Sequence, residues 1–271
     1  AGGTFSDSNS LNSSYTPAAG FTGTIELTLT TDNPPGPCNA ATDKVIIEIV
    51  ATPTINIINA IIICNNESVG TITFSGTNAT NYSWTNSNPT IGLAASGTGD
   101  INSFIASNST ANPIIATITI TPINTSNGTS CPGPAETFNI TVNPRPAVNF
   151  SPANQSICSG DTSNLVTLSS STTGASFNWT ANQPAGISGV TTSGFGTIPA
   201  QTLVNTTNTP ITVTYTAYAT TSGAVACQGN PFTYTITVKP KPSITEDLYS
   251  STCSGDSFAI SPSNSSLNSI P

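Results

Sequence analysis

The chain is built on a period of about 95 residues, and this repeat constrains the fold more than any other feature of the sequence. Two series of cysteines share the period, with spacings of 94 and 95 residues in one and 93 and 96 in the other, and the two tryptophans are 95 residues apart. These landmarks are Cys64, Cys158 and Cys253; Cys38, Cys131 and Cys227; and Trp84 and Trp179. A fixed period of this kind indicates a tandem array of one structural unit.

Each repeat ends in two segments that alternate apolar and polar residues, which is typical of strands with one buried and one wet face. The segments are 25–29 and 45–50, 118–121 and 138–142, and 211–215 and 232–238. Each pair flanks a loop rich in Gly, Pro and Ser that holds a cysteine of the second series. We predict that each pair forms the last hairpin of its repeat.

The remaining strands are shorter and separated by turn residues. In the last complete repeat the predicted strands lie near 147–150, 164–169, 175–180, 187–191, 201–205, 210–219 and 231–239. Seven strands in about 95 residues, without helical periodicity, match an immunoglobulin-like sandwich. The predicted fold is all-β, with tandem immunoglobulin-like β-sandwich domains arranged end to end.

The landmarks divide the chain into four parts. Residues 1–52 are the C-terminal part of a repeat, 53–145 and 146–242 are complete repeats, and 243–271 begin a further repeat. We call Cys64, Cys158 and Cys253 the early cysteines and Cys38, Cys131 and Cys227 the late cysteines, by their place in the repeat. The junctions near 142–146 and 238–242 alternate proline with other residues, which favours an extended, semi-rigid connection.

The composition excludes several classes of partner. The chain has four basic residues and a net charge of −8, so it lacks the cationic surface that nucleic acid requires. No apolar stretch approaches the roughly 20 residues of a membrane span, so we expect no membrane insertion.

The composition also argues against catalysis and metal binding. Histidine is absent, which removes the usual general base and the usual partner of a nucleophilic Ser or Cys. The closest cysteines are 26 residues apart, unlike the short spacing of zinc ligands. We therefore predict no catalytic residue, no cofactor and no metal site, and a protein that is not an enzyme.

The six cysteines are expected to form disulfides in an oxidising compartment. They allow fifteen complete pairings. We favour pairing within repeats, Cys64–Cys131 and Cys158–Cys227, which leaves the partners of Cys38 and Cys253 outside the fragment. A bridge between neighbouring repeats, Cys64–Cys227, fits the head-to-foot geometry of stacked domains better and stays open, as does pairing across a junction.

Two further features have a structural and a functional interpretation. Trp84 and Trp179 are expected in the core, although an exposed Trp would stack on sugars. The acidic residue three places after each early cysteine (Glu67, Asp161 and Asp256) is expected to cap its own turn, because one acid per turn is too few for calcium.

The segments around the landmarks resemble a known domain family. Asn81–Thr85 and Ser176–Thr180 resemble strand C of PKD-like domains, and the turns Cys158–Asp161 and Cys253–Asp256 strengthen the likeness. Together with the Pro-x-Pro ending, they resemble PKD-like repeats in large cell-surface adhesins of Bacteroidota, such as the gliding-motility adhesins exported by the type IX secretion system. The resemblance implies an extracellular, cell-surface location and an adhesive or stalk role.

The expected function is that of a structural and adhesive repeat region. Its expected partners are the neighbouring repeats of the same chain, with surface polysaccharide or the secretion machinery as further candidates. The alternative is a carbohydrate-binding accessory region of a secreted polysaccharide-degrading enzyme, which would need exposed Trp84 and Trp179.

Overall fold

The computed structural model describes residues 2–33, 35–242 and 251–257. The chain divides into two compact units. The first comprises residues 1–61, 66–107 and 115–141, and the second comprises 62–65, 108–114 and 142–271. The further repeat predicted over 243–271 lies outside the described residues except for 251–257.

The described residues are almost entirely strands and turns, with a short 3₁₀ helix at Pro89–Ile91. The strands up to residue 143 are β1 (Gly3–Phe5), β2 (Tyr15–Pro17), β3 (Gly23–Thr30), β4 (Thr42–Ile49), β5 (Ile61–Cys64), β6 (Ser68–Val69), β7 (Asn81–Asn86), β8 (Ser96–Thr98), β9 (Phe104–Ile105), β10 (Ile114–Ser126), β11 (Thr129–Pro132) and β12 (Glu136–Asn143). The strands that follow are β13 (Asn149–Ser151), β14 (Gln155–Cys158), β15 (Thr167–Ser169), β16 (Ser176–Ala181), β17 (Ile187–Ser188), β18 (Ser193–Phe195), β19 (Val204–Asn205), β20 (Ile211–Thr220) and β21 (Phe232–Lys239).

The two complete repeats form sheets with the same strand order. The first sheet runs β5-β12-β10-β7-β8, with β11 paired to β10, and the second runs β14-β21-β20-β16-β18. Each is faced by short strand pairs, β6–β9 in the first repeat and β13–β15 and β17–β19 in the second. This is the predicted all-β, immunoglobulin-like sandwich. Strands β3 and β4 form a separate antiparallel pair, from Gly23 opposite Ile49 to Thr30 opposite Thr42.

The alternating segments of the two complete repeats form strands β10, β12, β20 and β21, as predicted. In β20 the apolar positions Val213, Tyr215, Ala217 and Ala219 are fully buried, while the residues between them are partly exposed. The facing core cluster also includes Val166, Ile198 and Leu203 from the opposite layer. Period-two alternation therefore places one face of β10, β12, β20 and β21 in the core. In β3 and β4 only Ile25 is buried, so the buried face predicted for that pair is not formed.

The shorter strands depart from the prediction. Strands β14 and β18 were not predicted, and β17 and β19 each have two residues where five were expected. Strand β14 pairs in parallel with β21, from Gln155 opposite Ile236 to Cys158 opposite Lys239. This pairing matters for the site because it places an early cysteine beside the last strand of its repeat.

Candidate functional site

The second unit contains a disulfide between two repeats. Cys64 and Cys227 are bonded, with their Cα atoms 5.6 Å apart and a sequence separation of 163 residues. Both residues are buried, at 2% and 0% exposure. An early cysteine of one repeat is thus joined to the late cysteine of the next.

This bond corrects the favoured pairing within repeats. Cys64 is bonded to Cys227 and not to Cys131, and Cys131 and Cys158 both carry free thiols. The physical reason is the position of each cysteine in its domain. Cys158 is the last residue of β14 and lies opposite Lys239 at the end of β21, whereas Cys227 lies in the loop before β21 begins. The two ends of an extended strand of eight residues are about 25 Å apart, too far for a disulfide.

Arg145 connects the backbone next to both bonded cysteines. Its Nε donates a hydrogen bond to the carbonyl oxygen of Asn65 at 2.8 Å, and its Nη1 donates to that of Gln228 at 2.6 Å. These carbonyls belong to the residues that follow Cys64 and Cys227. The rigid fork of a guanidinium is suited to holding two acceptors at once. The local sequence around Arg145 gives no sign of these carbonyl contacts.

A second side chain of the junction, Asn143, also contacts the loop that carries Cys227. Asn143 Nδ2 donates to the carbonyl oxygen of Val225 at 3.1 Å. Val225 lies two residues before Cys227 in the loop that carries the late cysteine. The bridge therefore combines one covalent bond with three hydrogen bonds from side chains of the junction. On the chain-entropy account, closing a loop of this length stabilises the folded state by about 5 kcal/mol.

Of the remaining cysteines, Cys131 lies in β11 and Cys158 ends β14, whereas Cys38 and Cys253 lie outside the strands. Cys38, Cys158 and Cys253 are exposed, and Cys131 is partly exposed. Each carries a free thiol in this structure.

The two tryptophans lie in the sandwich interiors. Trp84 is 7% exposed and Trp179 is 2% exposed. Each ring covers a glycine on the neighbouring strand, because Trp84 is opposite Gly97 and Trp179 is opposite Gly194. Neither ring presents a face on which a sugar could stack.

The turn after Cys158 is held by its own acidic residue, as predicted for Asp161. The backbone N–H of Cys158 donates to Asp161 Oδ2 at 3.3 Å, and the N–H of Asp161 donates to the carbonyl of Cys158 at 3.0 Å. Gly160 occupies the left-handed region of the turn, with φ of 90°. Across the part of the chain that the structure describes, no cluster of three or more Cys, Asp or Glu could hold a metal ion.

The strands, tryptophan and turn of the second complete repeat are those of a known domain family. Residues 155–242 match the PKD-like domain family. This PKD-like domain lies inside the predicted repeat 146–242 and begins at strand β14. No curated protein matches the chain.

Several solved structures are similar to the chain at low identity. Mouse cadherin-23 domains EC22–24 are 17% identical, with a TM-score of 0.35, over 80% of this chain and 74% of that one. Titin domains I67–I69 are 13% identical, with a TM-score of 0.35, over 73% and 69%. The D00–D0 domain of intimin is 14% identical, with a TM-score of 0.34, over 67% and 98%. Likenesses this distant carry no information on binding or activity. Among the described residues, no helix is long and apolar enough to cross a membrane.

A buried asparagine in the PKD-like domain is a structural feature that the sequence did not reveal. Asn205 Nδ2 donates to the carbonyls of Thr209 and Val238 at 2.8 and 2.9 Å, and Asn205 Oδ1 accepts from the N–H and hydroxyl of Thr207. Asn108 makes the same set of contacts in the preceding repeat, to Asn112, Val142 and Thr110. Each asparagine ties a loop to the end of the last strand. The shared pattern Asn-x-Thr-x-x-Pro, at 108–113 and 205–210, is the signal that could have found it.

The PKD-like domain also buries two tyrosines with polar partners. Gln201 Nε2 donates to the hydroxyl of Tyr215 at 3.0 Å, and Gln155 Nε2 donates to that of Tyr234 at 2.5 Å. Desolvation by burial raises the pKa of both tyrosines above the ordinary value, and the glutamine contacts lower it in part. Both hydroxyls therefore stay protonated at neutral pH and serve the packing of the core.

Proposed function

We propose that this chain is a non-catalytic, load-bearing repeat region of a large extracellular adhesin. The observation that carries the proposal is the bond between Cys64 and Cys227, because it joins successive repeats covalently. Disulfides persist in oxidising compartments, so the bond supports an extracellular location. The PKD-like match over 155–242 supports a structural or adhesive role. The proposed setting is the one that the sequence resemblance implies, a cell-surface adhesin of Bacteroidota exported by the type IX secretion system and used in gliding motility.

The bond gives the proposed function a mechanical basis. Tension applied at the two ends of the chain passes from Cys64 directly to Cys227, so the residues between them lie outside the path of force. Strands β6 to β20 are therefore shielded from tension, whereas β5 and β21 stay in the path of force. Neighbouring repeats are the proposed partners, together with surface polysaccharide and the secretion machinery.

The alternative, a carbohydrate-binding accessory region, depended on exposed tryptophans. Trp84 and Trp179 are both buried, so the sugar-stacking surface on which that alternative rested is not formed by these side chains. The structural and adhesive role is therefore the better supported of the two.

Single-molecule force extension of the full chain, held at its two ends, tests the proposal. The loop closed by the bond spans 163 residues, and an extended chain gains at most about 3.5 Å per residue. We expect reduction of the disulfide to increase the final contour length by about 550 Å.

Two variants make this measurement specific. Cys64→Ser should show the longer contour without reductant, whereas Cys131→Ser should behave like the unmodified chain because Cys131 carries a free thiol. An unmodified chain with the same final length before and after reduction would contradict the load-bearing role.

A further inference from the structure

The early cysteines Cys64 and Cys158 occupy the same backbone setting. The residue after each donates its N–H to the last strand of the repeat, Asn65 to Asn143 at 2.9 Å and Ser159 to Lys239 at 2.8 Å. The next residue is left-handed in both turns, with φ of 64° at Asn66 and 90° at Gly160. Because the setting is the same, Cys158 presents its thiol at the same place on its repeat as Cys64 does.

The late cysteines Cys131 and Cys227 also share their setting. Two residues after each, a glycine N–H donates to the preceding strand, Gly133 to Pro122 at 2.9 Å and Gly229 to Ala219 at 2.8 Å. A Cβ on either glycine would lie 2.0 or 1.8 Å from the carbonyl oxygen of the proline that opens the repeat. This close approach fixes the segment that carries each late cysteine against the first residues of its own repeat.

The basic residue of the bridge is repeated as well. Arg145 lies between Pro144 and Pro146, and Lys241 lies between Pro240 and Pro242 in the next junction. Arg145 reaches the carbonyls beside both bonded cysteines. Lys241 is exposed and offers an ammonium group at the corresponding place.

We infer that Cys158 and Cys131 are bridging sites for further repeats of the same kind. Cys158 forms a disulfide with the late cysteine of a repeat that follows it, and Cys131 forms one with the early cysteine of a repeat that precedes it. Each repeat is then bonded to both neighbours, and the formed bond between Cys64 and Cys227 is one member of a series. The inference rests on the repeat organisation in the proposed function and adds a specific partner surface to it.

Such a series consists of two interleaved tracks. A track is a covalent path that crosses one disulfide and then follows the chain from a late cysteine to the next early cysteine. Examples of the chain segments are Cys38 to Cys64 and Cys227 to Cys253. These connecting segments span 26 residues in each case, and the segment from Cys131 to Cys158 on the other track spans 27. Only these short segments remain in the path of force, so an array of repeats becomes almost inextensible.

Formation of each bridge requires an oxidant. Two thiols give up two protons and two electrons, and a disulfide reagent such as oxidised glutathione accepts them and leaves as two thiols. The exchange proceeds through a mixed disulfide at the first cysteine, which the second thiolate resolves. The exposed thiol of Cys158 is accessible to such a reagent.

A thiol count on an extended protein tests the inference. A copy of residues 146–242 is inserted after residue 242 of the full chain, which adds two cysteines to the existing six. The protein is refolded with oxidised and reduced glutathione, and free thiols are counted by alkylation and intact mass. We expect four thiols, because the two bridges remove four of the eight.

Other results overturn the inference. Six thiols would mean that only one bridge forms. Covalent dimers on non-reducing electrophoresis would mean that Cys158 bonds to a cysteine of a second molecule.

The control variant is Cys158→Ser in the extended protein, which should show five thiols. Buried emission from the tryptophan of the copy confirms that the added repeat is folded. A count other than four free thiols in the extended protein therefore contradicts the series of bridges. The force measurement on the original chain is a separate test and is unaffected by that result.

Discussion

At the scale of single residues, the clearest determinant of each repeat is a buried asparagine. Asn108 and Asn205 are 3% and 6% exposed, and each satisfies two backbone carbonyls and one backbone N–H. A neutral side chain that meets several buried backbone groups is costly to remove, because the groups lose their partners without gaining water.

We predict that Asn205→Ala destabilises the PKD-like domain by about 2 kcal/mol. The carbonyl of Val238 would lose its donor at the end of β21. Urea unfolding monitored by tryptophan fluorescence measures the change. Asn208→Ala, at an exposed position in the same loop, is the matched control and should leave the midpoint unchanged. Equal effects of the two substitutions would contradict the structural role of Asn205.

The sequence did not single out these asparagines for a physical reason. Asn, Ser and Thr are abundant in this chain, so an Asn-x-Thr triplet carries little information by itself. The decisive partner of Asn205 is a carbonyl 33 residues later in the chain. Local patterns do not report a contact over that distance, and only the pairing of the strands brings the two groups together.

At the scale of structural elements, a tryptophan packed over a glycine fixes the register of two strands in each repeat. A Cβ on Gly194 would lie 2.4 Å from Cζ2 of Trp179, and one on Gly97 would lie 2.3 Å from Cζ2 of Trp84. Both glycines are therefore required by close approach of the indole ring.

We predict that Gly194→Ala destabilises the PKD-like domain by about 1 to 3 kcal/mol, because the ring of Trp179 must shift from its packed position. Thermal unfolding and the wavelength of tryptophan emission measure the loss and the shift. Ser193→Ala, on the same strand but exposed, should change neither quantity. Retention of the midpoint and emission in Gly194→Ala would show that the ring does not depend on the glycine.

The strands themselves were predictable to the extent that they are long. Strands β20 and β21 alternate over eight or more residues, and their bounds lie close to the predicted ones. Strand β18 has three residues around Gly194, and β14 has four with little alternation. Their extended conformation comes from pairing with β16 and β21, which the local sequence does not encode.

At the scale of the whole molecule, the period of the cysteines was predictable but their pairing was not. The period shows that each complete repeat has one early and one late cysteine, and it does not show on which end of the domain each lies. That information comes from the parallel pairing of β14 with β21, which places Cys158 at the far end of the strand that Cys227 precedes. A strand that was not predicted thus decides the connectivity.

A non-reducing peptide map of the full chain tests the central claim most directly. Free thiols are blocked with an alkylating reagent before digestion, and linked peptides are identified by mass spectrometry before and after reduction. We predict a linked species that contains Cys64 and Cys227, with Cys131 and Cys158 alkylated. A species that links Cys64 to Cys131, or Cys158 to Cys227, would contradict the covalent connection between repeats.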